Sequence, residues 1–154
     1  GPVPPQQLAA ELGLTVAYSA EELREPYLYL GLYDPGSRTI SLNSSAIEQV
    51  RQFITSHMLA DLTPPGDIVR LVLYHEIFHA LEEQTPDIYT RSRMLRRKAL
   101  GLFPYRRGLA GASETGAVHF SRLMAETPYS PCIHERYLLL ALGQLSIDFL
   151  PPSV

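Results

Sequence analysis

Tryptophan is absent from this chain of 154 residues, lysine occurs once, at Lys98, and cysteine once, at Cys132. A single thiol excludes an internal disulfide framework and a zinc site built on four thiolates, and it fits a reducing, intracellular compartment. Long apolar runs are missing too: the longest, such as Leu138 to Leu142, fall far short of the roughly 18 residues that a membrane-spanning helix needs. Nor is there an excess of one charge. The 13 basic and 16 acidic residues leave a net charge of -3, which sets up no whole-molecule field for DNA or an anionic membrane. The stretch Gly1 to Gln7 has neither the basic nor the apolar segment of a signal peptide, and Gly1-Pro2 reads as the scar of a cleaved expression tag. These absences predict a soluble, cytoplasmic protein with no direct nucleic-acid or membrane partner.

What is present suits one compact domain over 1–154, since 45% of the residues are apolar and 19% charged, close to ordinary soluble proteins. Gln7 to Leu12 reads as a short helix stopped by Gly13, and Leu14 to Tyr18 as a strand. Two β-rich runs, Tyr27 to Tyr33 and Thr39 to Leu42, flank Asp34-Pro35-Gly36-Ser37 and predict a hairpin. Ser45 with Glu48 predicts a capping box opening a helix to about Leu62. Thr63-Pro64-Pro65-Gly66 breaks the chain, Asp67 is a candidate N-cap, and Ile68 to about Glu83 reads as a helix apolar on most faces. Further helices are expected over 89–100, from about Ala110 to Glu126, and from Ile133 to Ile147. Strands come first and helices after, which predicts an α+β fold: a small N-terminal antiparallel sheet with a C-terminal helical bundle.

The middle of the most apolar helix carries His75-Glu76-Ile77-Phe78-His79, an H-E-x-x-H pattern. Histidines four apart lie on one helical face, so both imidazoles can reach a single zinc ion. Glu76 is turned about 100° away, which lets its carboxylate approach a metal-bound water as general base without ligating the metal. Three ionisable groups within so apolar a helix are costly unless paired or bound to metal. A catalytic zinc needs a third protein ligand and an open fourth position. A metzincin would have Gly at position 82 and His at 85, whereas the chain has Glu82 and Thr85, so that class is excluded. The remaining candidates are Glu114, His119, Glu126, His134 and Glu135. The choice falls on Glu114, because the small residues around it, Ser113, Gly116 and Ala117, let one helix pack closely on another. Two histidines and one carboxylate accept manganese as well as zinc.

With these residues the chain resembles the ImmA/IrrE-like metallopeptidases, small gluzincins often encoded near helix-turn-helix repressors. The likeness begins with Leu8 to Val16 and continues through Thr39-Ile40-Ser41-Leu42-Asn43. It also includes His75 to His79 with Ala80-Leu81 behind it, and Glu114, Ala117 and Phe120 in a Glu-x-x-Ala-x-x-Phe element. Val118 departs from the Asn often found after that Ala. The resemblance implies a minimal zincin-like domain, His75, His79 and Glu114 as zinc ligands and Glu76 as base. It also implies a protein or peptide substrate, with a repressor-type regulator as the candidate, added as a further strand at a sheet edge. A Tyr or His commonly donates to the oxyanion in gluzincins, and His119, Tyr129, His134 and Tyr137 are the candidates.

Other features have plainer readings. Tyr27, Tyr29 and Tyr33 alternate along one expected strand face, as core or interface residues do. His57 reads as a cation at a helix C-terminus. Seven of the 13 basic residues fall between Arg91 and Arg107, a solvated face or, with Arg93, Arg96 and Arg97, a contact surface for a partner. Two functions of different class therefore stand beside each other: a zinc-dependent peptidase, and a catalytically silent domain in which the metal only staples helices for partner binding.

Overall fold

The computed structural model describes residues 2–84 and 112–144. The helix expected over 89–100, the Arg-rich stretch, and the expected helix end at Ile147 lie outside the described residues. Within them the chain is α+β, with five helices and a small three-stranded sheet. No described helix is long and apolar enough to cross a membrane.

Helix α1, Pro5–Glu11, opens on proline, whose missing N–H is not needed in a first turn. The chain then turns at Gly13, where φ is +72°, a conformation that glycine takes without steric cost. The strands are β1 (Thr15–Ser19), β2 (Gly31–Asp34) and β3 (Thr39–Asn43). The hairpin expected around Pro35-Gly36 is present: β2 and β3 pair antiparallel, with Gly31 opposite Leu42 and Asp34 opposite Thr39. Asp34 holds the turn, accepting from the Gly36 amide at 3.0 Å and the Ser37 hydroxyl at 2.8 Å.

The sheet is mixed, which corrects the antiparallel sheet expected. β1 runs parallel to β3, from Thr15 opposite Thr39 to Ser19 opposite Asn43, giving the order β1-β3-β2. Alternation along a strand carries no direction, and the path of residues 20–30 decides it by leaving β3 between the other two strands. As the central strand, β3 buries Ile40 and Leu42 completely. The tyrosine pattern is corrected as well. Tyr27 and Tyr29 precede β2 in a turn, where the Tyr27 amide donates to the Arg24 carbonyl at 2.8 Å and the Tyr29 amide to the Tyr27 carbonyl at 2.9 Å. The three tyrosines therefore do not share a strand face.

Helix α2, Ser44–Ser56, follows β3 with no linker and is capped by Asn43, whose side chain accepts from the Ala46 amide at 3.4 Å. The expected Ser45–Glu48 box is not used, and Glu48 pairs instead with Arg51 at 3.0 Å. Asn43 wins because it is fully buried, and its amide also ties down the Glu21 amide and the Tyr27 carbonyl. The helix ends before Leu62, because Met58 adopts a φ of +55°. His57 caps it, with Nδ1 on the Phe53 carbonyl at 3.0 Å and its ring stacked on Phe53.

Helix α3, Asp67–Gln84, is buried on nearly every side, by the sheet and by its helical neighbours. Asp67 is its first residue, and its carboxylate serves Arg70 at 2.9 Å and the Tyr129 hydroxyl at 2.8 Å. Helix α4, Ala112–Ala125, makes the most extensive packing with α3. Gly116 permits it: a Cβ there would sit 2.6 Å from Phe78 Cζ, so the small-residue stripe read from the sequence is what lets these backbones approach. Helix α5, Cys132–Ala141, ends at a left-handed Gly143, φ +71°. The Gln144 amide returns to the Leu139 carbonyl at 2.8 Å, a Schellman closure.

Candidate metal centre

Helical periodicity places His75, Glu76, His79, Glu82 and Glu83 along α3, and the close α3–α4 packing brings Ser113 and Glu114 against them. The imidazoles of His75 and His79 lie 5.1 Å apart, centre to centre. Glu114 spans them, its two carboxylate oxygens each 3.0 Å from an Nε2, one on His75 and one on His79. Ligand atoms of His75, Glu76 and His79 also fall within 4.8 Å of one another. All four side chains are buried.

A second set of groups orients His79. The Ser113 hydroxyl donates to the Glu82 carboxylate, with oxygens at 2.9 and 3.1 Å. Its oxygen is thereby left to accept from His79 Nδ1–H at 3.2 Å. That linkage holds the proton on Nδ1 and turns Nε2 toward Glu114, the arrangement by which outer partners fix a metal-ligating histidine. Burial alone would lower the His79 pKa, but hydrogen bonds to Glu114 and Glu82 outweigh it and push the group up to about 9. Burial would likewise raise Glu114, yet the hydrogen bonds from His75 and His79 hold its carboxyl far below the usual range. Two imidazole nitrogens and a carboxylate converging from two helices suit a divalent ion, which takes the place of the protons now shared between them.

Glu76 and His79 line a cleft of about 340 Å³ that is also lined by Leu30 and the β2 residues Gly31 to Tyr33, and by Leu138 and Leu139. Gly31 sets how closely that strand approaches, since a Cβ there would run into Val72 Cγ1 and lie 3.5 Å from Glu76 Cγ. Among the described residues β2 is an edge strand, paired to β3, and it borders the cleft. Tyr33 contributes a hydroxyl that burial, with Glu83 beside it, keeps protonated to about pH 12.

Of the third-ligand candidates, the structure brings Glu114 to both histidines. Glu126 is exposed beyond the far end of α4 and His119 is exposed on it. Glu135 borders the cleft and His134 lies next to it, in a small pocket that also reaches His75 and Glu114. Among the oxyanion candidates, Tyr129 donates to Asp67 and Tyr137 meets Thr63 Oγ1 at 3.2 Å, so both hydroxyls serve the opposite end of α3. Sequence reasoning missed Ser113, Glu82 and Tyr33. Glu82 was findable, because it follows His79 by three residues and so shares its helical face; Ser113 and Tyr33 had no comparable local signal.

Burial, slightly offset by Asp67, pulls the His134 pKa down to about 4. The unfolded chain then binds more protons than the folded one between about pH 6.5 and pH 4. Stability present above that window is lost as pH falls through it, by an amount on the order of 3 kcal/mol. His134→Phe is expected to remove this part of the acid limb in urea titrations run at a series of pH values. An unchanged slope would assign the limb to another group.

Comparison with protein-family models, curated proteins and solved structures finds no match for this chain.

Proposed function

We propose that this protein is a zinc-dependent peptidase, a minimal zincin-like domain of the ImmA/IrrE-like gluzincin kind, working in the cytoplasm on a protein substrate of repressor type. The observation that carries the reading is Glu114 set between the Nε2 atoms of His75 and His79, with Glu76 beside them at the floor of a cleft. His75, His79 and Glu114 hold the ion, and Glu76 stays outside the ligand set as base. The bound ion supplies Lewis acidity toward water and the scissile carbonyl. The chain's own residues do the rest. An extended peptide lies in the cleft along the outer side of β2, its carbonyl over Glu76. Glu76 takes a proton from the attacking water as the C–O bond forms, and delivers it to the amine nitrogen as the C–N bond breaks. Ser113 and Glu82 keep His79 in the tautomer this requires.

The test is a digest of proteome-derived peptides, and of helix-turn-helix repressors, incubated with the zinc-loaded protein and read for new N-termini by mass spectrometry. Cleavage at a restricted set of bonds, abolished by a chelator and restored by zinc, is the expected result. Stoichiometric zinc with no cut bond in either substrate set would favour the second reading, a metal-stapled interaction domain. The same linkage of α3 to α4 through His79, Ser113 and Glu82 supports that reading.

A further inference from the structure

His134 is the third residue of α5, within Cys132-Ile133-His134-Glu135, and it is 1% exposed. Its ring lies edge-on to Tyr129 and tilted against Tyr137. Neither Nδ1 nor Nε2 has a hydrogen-bond partner among the described residues. A neutral imidazole still carries one N–H donor and one bare acceptor, and burying both without partners is expensive. A phenylalanine would fill the same volume without that cost, so the position calls for a polar occupant of the space next to it.

That space is a small, partly open pocket of about 30 Å³ lined by His134, His75, Glu114 and Glu135 among apolar residues that include Leu71 and Val72. A cavity of roughly 10–15 Å³ or more admits a water, provided that two to four polar groups receive it. His134, His75, Glu114 and Glu135 supply those groups, and most of the remaining wall is apolar. Glu114 borders both this cavity and the cleft, whereas His75 borders only the cavity and His79 only the cleft. The small pocket therefore adjoins the candidate metal centre on the His75 side, next to the cleft.

We propose that His134 is a positioning residue: it holds one ordered water in this pocket, and through that water it orients His75 and Glu114. The role rests on the metal-site reading for its consequence, though not for the water itself. His79 is steadied by Ser113 and Glu82, and this water gives the His75 side a corresponding outer partner.

The test compares the parent with His134→Phe, which keeps the volume and removes both polar nitrogens. It also includes His134→Gln and His134→Asn, whose amides can each donate and accept. Zinc affinity is measured by chelator competition. In the metal-free proteins, NMR follows cross-relaxation between the ring N–H of residue 134 and water, together with the His75 ring shifts. The expected result is a long-lived water at His134 in the parent, shifted His75 ring signals in the Phe variant, and zinc binding weakened about 10- to 100-fold. Recovery is expected in at least one of the two amide variants. No long-lived water at His134, or unaltered His75 signals in a folded Phe variant, would overturn the proposal whether or not zinc binds. A parent that shows the water and the His75 response but takes up no zinc would sink the metal reading and leave the water-mediated contact standing. Equal zinc affinity in parent and Phe variant would overturn the positioning role while leaving the metal centre intact.

Discussion

Glu76→Gln is expected to lower peptide hydrolysis by about a hundred- to ten-thousand-fold, the range that a positioned general base contributes. The variant keeps the size and shape of the side chain and removes only its ability to take a proton. Glu76 is 4% exposed, on α3, and faces the cleft across from Gly31, so an amide fits the same space. Zinc should remain bound with unchanged stoichiometry, because the proposed ligands are His75, His79 and Glu114. The loss should fall on kcat, with KM little altered, since β2 and the cleft walls carry the binding. Full activity in Glu76→Gln would refute the mechanism, and loss of zinc from it would make Glu76 a ligand.

Glu114→Ala is expected to abolish stoichiometric zinc binding, with affinity falling by more than the roughly 10- to 100-fold that an outer partner is worth. Glu114 contributes both of its oxygens to the pair of imidazoles, each at 3.0 Å, and no other described carboxylate bridges them. Glu126→Ala is the matched control: it alters the exposed residue just past the end of the same helix, and should bind one equivalent as the parent does. Plasma mass spectrometry on the three purified proteins reads this directly. Zinc retained in Glu114→Ala would move the third ligand elsewhere, with Glu135, at the cleft wall, next in line. The metal-free protein carries a second signature. His79 is raised to about 9 by Glu114 and Glu82, so its contribution to stability is complete below about pH 6.5 and fades as pH climbs through about 9. Glu114→Ala should accordingly destabilise the metal-free fold most at neutral pH and below, and least above pH 9.

Much of this was legible in local patterns. The hairpin followed from Pro35-Gly36 between two β-rich runs, the end of α1 from Gly13, and the central place of α3 from apolar residues on all its faces. The choice of Glu114 among five candidates rested on the small residues beside it. The reason is physical, since only a bare Gly116 lets Phe78, and with it α3, come close enough for a carboxylate to span both imidazoles. Less legible were features that depend on who is nearby. Ser45 and Glu48 satisfy a capping pattern, but Asn43 is buried where three chain segments meet, and it takes the cap. The tyrosines of 27–33 alternate as a strand should, but the backbone spends its early hydrogen bonds on a turn.

The sequence by itself determined the elements and the donor set: helical spacing puts His75 and His79 on one face and Glu76 off it, because 3.6 residues make a turn whatever surrounds them. Tertiary structure alone decided the direction of β1, which residue stands beside β2, and how Ser113, Glu82 and His134 are disposed about the two histidines. Those outcomes depend on contacts between segments far apart in the chain, where hydrogen bonding and close packing, not local propensity, select one arrangement.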